Sequence, residues 1–224
     1  MRDLTARAPH PARQRTGLAI PRLYAIIDPA QAGGRASDEV CEALLAAGVR
    51  LIQYRDKRSS AREIFENGSR LAERVRLAQG LFILNDRADM ARAVGADGVH
   101  VGQDDLPVEL ARQVVGPDRW VGCSTHSLAQ IEEADRSSAD HLAFGPVFQT
   151  PSKEKPDPVV GLAGLREARK ATAKPLVAIG GITAENARSV IEAGADAVAV
   201  IHDLMAAPDI ATRARELLRV LGEL

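Results

Sequence analysis

The chain has 224 residues, a formal net charge of −1, 46% hydrophobic residues and only 3% aromatics. A near-neutral balance gives no global field to draw in nucleic acid or a membrane surface, and no apolar run approaches the ~18 residues of a membrane span. With so few aromatics the core must be built from Ala, Val, Leu and Ile, as in buried parallel strands covered by helices.

Residues 1–20, MRDLTARAPHPARQRTGLAI, carry Arg2, Arg7, Arg13 and Arg15 with prolines and no periodicity. They lack the apolar centre of a secretory signal and read as a disordered tail rather than an organelle transit peptide. Residues 21–224 read as one domain. Cys41 and Cys123 have no metal-ligand spacing and read as buried, reduced thiols of a cytoplasmic protein.

From Leu23 the chain repeats a cycle of short apolar run, polar loop, helical segment and small residues. The runs are 23–27, 51–54, 81–84, 98–101, 120–124, 141–144, 176–179 and 197–200. Each is too short for a helix and is expected to be a buried strand. Ser37, Ser60, Ser127 and Thr183 are expected to cap the intervening helices, and Ser127 to Gln130 resembles a capping box. Eight βα units in one chain predict a single (β/α)8 TIM barrel, closed by a helix near 211–221. A doubly wound open sheet is the runner-up, but it needs only five or six strands.

In such a barrel chemistry sits on the loops that follow the strands. After the second run, Gln53, Arg55 and Lys57 share one side by the two-residue period. They suit an anionic substrate with a polar head, or they are solvated charges. After the third and fourth runs, Asn85 and Asp86 face the same mouth as Asp105, 19 residues on. Two carboxylates and an amide there suit Mg²⁺, which takes few protein carboxylates and completes its shell with water and phosphate; loop-capping aspartates are the alternative. Gln103 and Asp104 are ambiguous, and Asp104 could cap the helix that Pro107 begins.

The fifth run ends in Ser124, able to donate to a leaving oxygen, with no Ser–His–Asp arrangement to make it a nucleophile. His126 reads as a hydrogen-bonder to loop backbone in preference to a general base. After the sixth run the long loop 145–158 offers Thr150, Ser152 and Lys153 as a phosphate cradle; otherwise it is a Pro-rich surface loop. Gly180 and Gly181 precede a helix, where backbone N–H groups can approach a phosphate. With the turn at Ile201 and His202 they fall on loops seven and eight, the usual phosphate site of this fold.

The motifs IQYRDK (52–57), ILNDRADMARAVGADGVHVGQDD (83–105), GCSTH (122–126), GPVFQTPSK (145–153) and VAIGGI (177–182) together resemble the thiamine phosphate synthase family. The resemblance runs from about Leu23 to Leu221 in the family's order, although VAIGGI alone recurs in many phosphate-binding barrels. It implies a transferase of thiamine biosynthesis that joins a hydroxymethylpyrimidine pyrophosphate to a thiazole phosphate and releases pyrophosphate. It implies Mg²⁺ on Asp86 and Asp105, with Arg55, Lys57, Lys153 and Ser124 on the pyrophosphate. Gln53 and Asn85 would orient the pyrimidine, with Tyr54 and Asp56 of the same motif beside them. Thr150, Pro151, Ser152, Gly181, Ile201 and His202 would hold the thiazole phosphate. Partners are then phosphorylated small molecules, with no nucleic acid and no membrane, and a homo-oligomer stays open.

Two departures stand out. Ser152 replaces the family's usual threonine, keeping the hydroxyl. Ile201 and His202 replace its usual Val-Ser, keeping backbone donors but losing a hydroxyl. Two other readings compete with the transferase: a thiazole tautomerase-like isomerase with His126 as base, and a non-catalytic phosphate-binding barrel.

Overall fold

A computed structural model of the protein describes residues 20–150 and 157–224. The strands are β1 (Leu23–Ile27), β2 (Leu51–Tyr54), β3 (Leu81–Asn85), β4 (Gly98–Val101), β5 (Trp120–Thr125), β6 (His141–Phe144), β7 (Leu176–Ile179) and β8 (Ala197–Val200). They pair in parallel in sequence order, and β8 pairs back on β1, so the sheet is a closed barrel without edges. The expected (β/α)8 architecture is therefore what the chain adopts.

Helices α1 (Ser37–Ala47), α2 (Ala61–Leu77), α3 (Ala88–Ala93), α4 (Val108–Val115), α5 (Leu128–Asp135), α6 (Gly161–Ala171), α7 (Ala187–Glu192), α8 (His202–Met205) and α9 (Ile210–Leu221) cover the outside. Their caps match the sequence in part. Ser60 makes a full capping box with Glu63 at the start of α2. Ser127 accepts from the Gln130 amide, but the Gln130 side chain accepts from the His126 N–H instead of closing the box. Ser37 is already the first residue of α1. Thr183 opens a turn, and α7 starts only after Asn186, which accepts from the Thr183 amide. Asp104 caps nothing: α4 has no side-chain cap and starts behind Pro107.

Two apolar layers follow from the strands' alternation. Tyr24, Ile26, Leu51, Leu81, Ile83, Trp120, Ala143, Val177, Ala197 and Ala199 fill the barrel interior. Residues of opposite parity, among them Ile52, Tyr54, Phe82, Leu84, Val99, Leu142 and Val198, face the helices. Ile20, counted with the tail in the sequence reading, is buried against the interior group. The rest of that tail, residues 1–19, lies outside the described residues.

The Ser60 cap joins the β2 loop to α2 through two reciprocal bonds: Ser60 accepts from the Glu63 amide at 3.3 Å, and Glu63 accepts from the Ser60 amide at 2.8 Å. Ser60→Ala should cost about 1 kcal/mol, or about 2–4 °C of thermal midpoint in a chain of this size. Thermal denaturation followed by circular dichroism measures it, with turnover at 25 °C unchanged.

Candidate active site

At the C-terminal end of the barrel a cavity of about 620 Å³ receives the last inward residue of most strands. Gln53, Arg55, Lys57, Asn85, Asp86, Asp105, Ser124, Thr150, Gly181, Ile201 and His202 all line it. A larger depression of about 810 Å³ lies at the opposite end of the barrel. Several of its charges hold the fold: Arg169 pairs with Asp196, and the Lys174 ammonium donates to the carbonyls of Ala134 and Ser137.

Not all the sequence candidates reach the mouth. Tyr54 is 1% exposed and lies among the residues between barrel and helices. Its hydroxyl donates to Asp56 at 2.8 Å and accepts from Asn67 at 3.2 Å. Asp56 also accepts from the amides of Arg58 and Ser59. The parity that turns Gln53, Arg55 and Lys57 inward turns Tyr54 and Asp56 away, so this pair clamps the loop from behind. Pro151, Ser152 and Lys153 lie outside the described residues.

One side of the mouth is charged. The Lys57 ammonium is 3.1 Å from Asp86. Burial, then the neighbouring Asp105 carboxyl, holds the Asp86 carboxyl above the usual range, while Lys57 works the other way. Asp105 also accepts from the Gly102 amide at 2.8 Å. Asp86 sits at φ 60°, a left-handed turn that aspartate tolerates better than most residues. No group of three or more His, Cys, Asp or Glu side chains suited to a metal occurs among the described residues. Asp86 and Asp105 stand as two carboxylates side by side in this mouth. Such a pair shares its charge poorly without a cation.

Arg55 is held from below by Asp28, which is 2% exposed and paired with its guanidinium. Asp28 also accepts from the Ala30 amide and the Gln31 side chain. Sequence reading passed over this residue. Its parity with the inward Tyr24 and Ile26 is the signal that would have found it.

The floor mixes apolar Ile26, Ala143, Val177 and Ala199 with a few bonded polar side chains. Gln53 is buried and donates to the Tyr24 hydroxyl at 2.8 Å. Ser124 Oγ lies 2.9 Å from His100 Nε2. Gln103 reaches across from loop four to the Ser124 carbonyl at 2.6 Å. His126 bonds loop backbone as expected: Nδ1 is 2.6 Å from the Gly145 carbonyl, and Nε2 is 3.5 Å from Asp157.

The far wall is made of main chain. Gly180 and Gly181 have φ of 100° and 64°. A β-carbon on Gly181 would lie 2.3 Å from the Gln149 carbonyl, and one on Gly180 would lie 2.4 Å from Pro146 Cβ. Asn186 fastens this turn by donating to the Gly181 carbonyl at 3.0 Å. Asp203, at the start of α8, accepts from the Ala184 amide and pairs with Arg213, which ties loop eight to loop seven.

The model of the family described as thiamine monophosphate synthase matches residues 23–204. A protein of Koribacter versatilis named thiamine-phosphate synthase is 54% identical over 210 residues, covering 92% of this chain and 98% of that one. One of the same name from Chloroflexus aurantiacus is 44% identical, covering 88% of this chain and 90% of that one. Among solved structures, a thiamine phosphate pyrophosphorylase from Pyrococcus furiosus superposes with a TM-score of 0.82 at 37% identity, covering 90% of this chain and 96% of that one. With a family match across all eight strands and relatives this similar along nearly their whole length, the chain belongs to the thiamine monophosphate synthase family of transferases.

Proposed function

We propose that this mouth joins a hydroxymethylpyrimidine pyrophosphate to a thiazole phosphate, with Mg²⁺ held by Asp86 and Asp105. The observation that carries the assignment is the convergence of Asp86, Asp105, Lys57 and Arg55 on one side of a single cavity, opposite the glycine turn of loop seven. Phosphorylated substrates need cations on one side and main-chain donors on the other.

The reaction breaks the bond between the pyrimidine methylene carbon and the pyrophosphate oxygen, whose electron pair leaves with pyrophosphate. The lone pair of the thiazole nitrogen then forms the new C–N bond. The nucleophile has no proton to lose, so a general base is not needed, and stabilising charge on the leaving group is the main task. Arg55 and Lys57 face that charge, and Ser124 donates to it. Lys153, on the part of loop six outside the described residues, is assigned to the same anion. Mg²⁺, when bound, supplies further positive charge to the pyrophosphate oxygens. Gln53 and Asn85 orient the pyrimidine. Thr150, Ser152, Gly181 and the Ile201–His202 turn hold the second phosphate. The two buried, free thiols fit a reducing compartment such as the cytoplasm, and among the described residues no helix is long and apolar enough to cross a membrane.

The direct test is incubation with both substrates and Mg²⁺, reading pyrophosphate by a coupled assay; no release would sink the proposal. Asp86→Asn and Asp105→Asn should each lower release by about 10²-fold or more. Asp86→Asn also removes one of two neighbouring like charges and puts a residue tolerant of left-handed backbone at φ 60°. Without Mg²⁺ its thermal midpoint should therefore exceed that of the unmodified chain by about 2–4 °C. A fall in midpoint would show that Asp86 supports the fold instead.

His126 separates the transferase from the isomerase. Loss of a general base typically costs about 10²–10⁴-fold. With Nδ1 on the Gly145 carbonyl and Nε2 turned to Asp157, His126 is a structural pin here. His126→Ala should keep most pyrophosphate release, whereas Lys57→Ala should not. Collapse of the His126 variant alone, with no dependence on Mg²⁺, would favour the tautomerase.

Gly181 tests the second subsite. An alanine there meets the Gln149 carbonyl and holds a left-handed conformation at a cost of about 1–2 kcal/mol. Gly181→Ala should raise the KM for thiazole phosphate about tenfold or more and leave that for the pyrimidine pyrophosphate near its original value. The reverse pattern would mean that the two subsites are exchanged.

A further inference from the structure

Beneath Ser124 the barrel holds two histidines that the reaction, as read above, leaves unused. His100 on β4, Gly122 on β5 and His141 on β6 are register partners in one row. Both rings are buried, with centroids 5.4 Å apart. A β-carbon on Gly122 would lie 2.2 Å from His141 Nε2 and 2.3 Å from His100 Nδ1. Glycine is thus what lets the two rings meet. His100 Nδ1 is 3.4 Å from His141 Nε2, and His100 Nε2 is 2.9 Å from Ser124 Oγ. The line ends at His141 Nδ1, which is buried and has no hydrogen-bond partner among the described residues.

Burial keeps both rings neutral, pushing His100 down to about 4 and His141, with help from His100, to about 3. Each ring then carries one N–H, and the line has two consistent arrangements. In the first, Ser124 donates to His100 Nε2, His100 Nδ1–H donates to His141 Nε2, and His141 keeps its proton on Nδ1. That leaves a buried N–H without a partner. In the second, His141 Nε2–H donates to His100 Nδ1, and His100 Nε2–H donates to Ser124 Oγ. Only a lone pair on His141 Nδ1 is then unpaired. Orphaned buried N–H groups are rarer than under-satisfied acceptors, which selects the second.

The choice fixes what Ser124 shows to a ligand. In the first arrangement its one proton points down to His100, and only lone pairs face the anion. In the second, Oγ is already an acceptor from below, and the O–H is free to point into the mouth. We propose that His141 and His100 are positioning residues which, through this directed pair of hydrogen bonds, turn the Ser124 hydroxyl outward as a donor to the leaving pyrophosphate. The inference rests on the reading of Ser124 given above and adds the residues that set its polarity.

Two measurements test it. In ¹⁵N-histidine-labelled protein, the His100 signals, assigned with a His100→Gln variant, should show Nε2 as the protonated nitrogen; protonation on Nδ1 overturns the proposal whether or not any variant folds. The second is a double-mutant cycle on kcat. Ser124→Ala should lose about 10²-fold. His100→Asn, whose amide does not reach the position of Nε2, should lose about as much, with little change in KM. The double variant should be no worse than either single one, and His100→Gln, which can donate from that position, should recover most of the rate. Losses that multiply in the double variant would mean that His100 acts only through packing, and the proposal falls. If Ser124→Ala turns over normally, the donor role of Ser124 itself fails, and this inference with it. If Ser124→Ala is slow while His100→Asn is not, Ser124 stands and only its orientation by histidine is wrong.

Discussion

Strand parity inside a closed barrel is the constraint from which the site follows. Each strand presents alternate side chains to a filled interior and to the helix layer, and closure removes any freedom to slide. β2 sends Leu51 and Gln53 inward and Ile52 and Tyr54 outward. β5 sends Trp120 and Ser124 inward, with Gly122 between them giving up its volume to the rings on either side. The mouth receives whatever residue ends each inward series: Gln53, Asn85, His100, Ser124 and Ile179. A slip of one residue would exchange Gln53 for Tyr54 and take the amide out of the cavity.

The chemistry in that mouth is assembled against the local interests of the fold. Barrel interiors are mostly bulky branched apolar residues, yet this one carries Gln53, His100 and His141. Asp86 combines a left-handed backbone with a carboxylate pressed against Asp105. Gln53, Asp86 and His100 line the C-terminal mouth, while His141 starts β6 below them. The N-terminal ends carry half-buried ion pairs such as Arg112–Asp140, whose carboxylate also accepts from the Val121 amide.

The fold was legible because its signal is repeated. Short apolar runs recur eight times, with polar loops and helical segments between them, so each βα unit supports the reading of the others. The loops after β2 to β4 were legible because polar residues there follow strands of known parity. What the sequence hid depends on contacts between distant segments. Asp28 under Arg55 is 27 positions away from its partner. The His100–His141 contact spans 41 positions and exists only because Gly122 lies between them. Tyr54 and Asp56 were included on motif membership, although the alternation that favoured Gln53 argued against them. Gln103 was undecidable from sequence, because its partner is a main-chain carbonyl on the next strand.

The packing of Gly180 and Gly181 has a consequence for how this barrel can be rebuilt. Val147 and Phe148 donate their amides to the carbonyls of Ile179 and Gly180, and the two glycines fill the space left by Pro146 and Gln149. The main chains of loops six and seven are therefore shaped against each other. In a fold whose loops vary to support many chemistries, these two form a single exchangeable cassette. Recombination between relatives, or a graft by a designer, preserves the surface between them only when both cross over together; a breakpoint between β6 and β7 separates the mould from its cast.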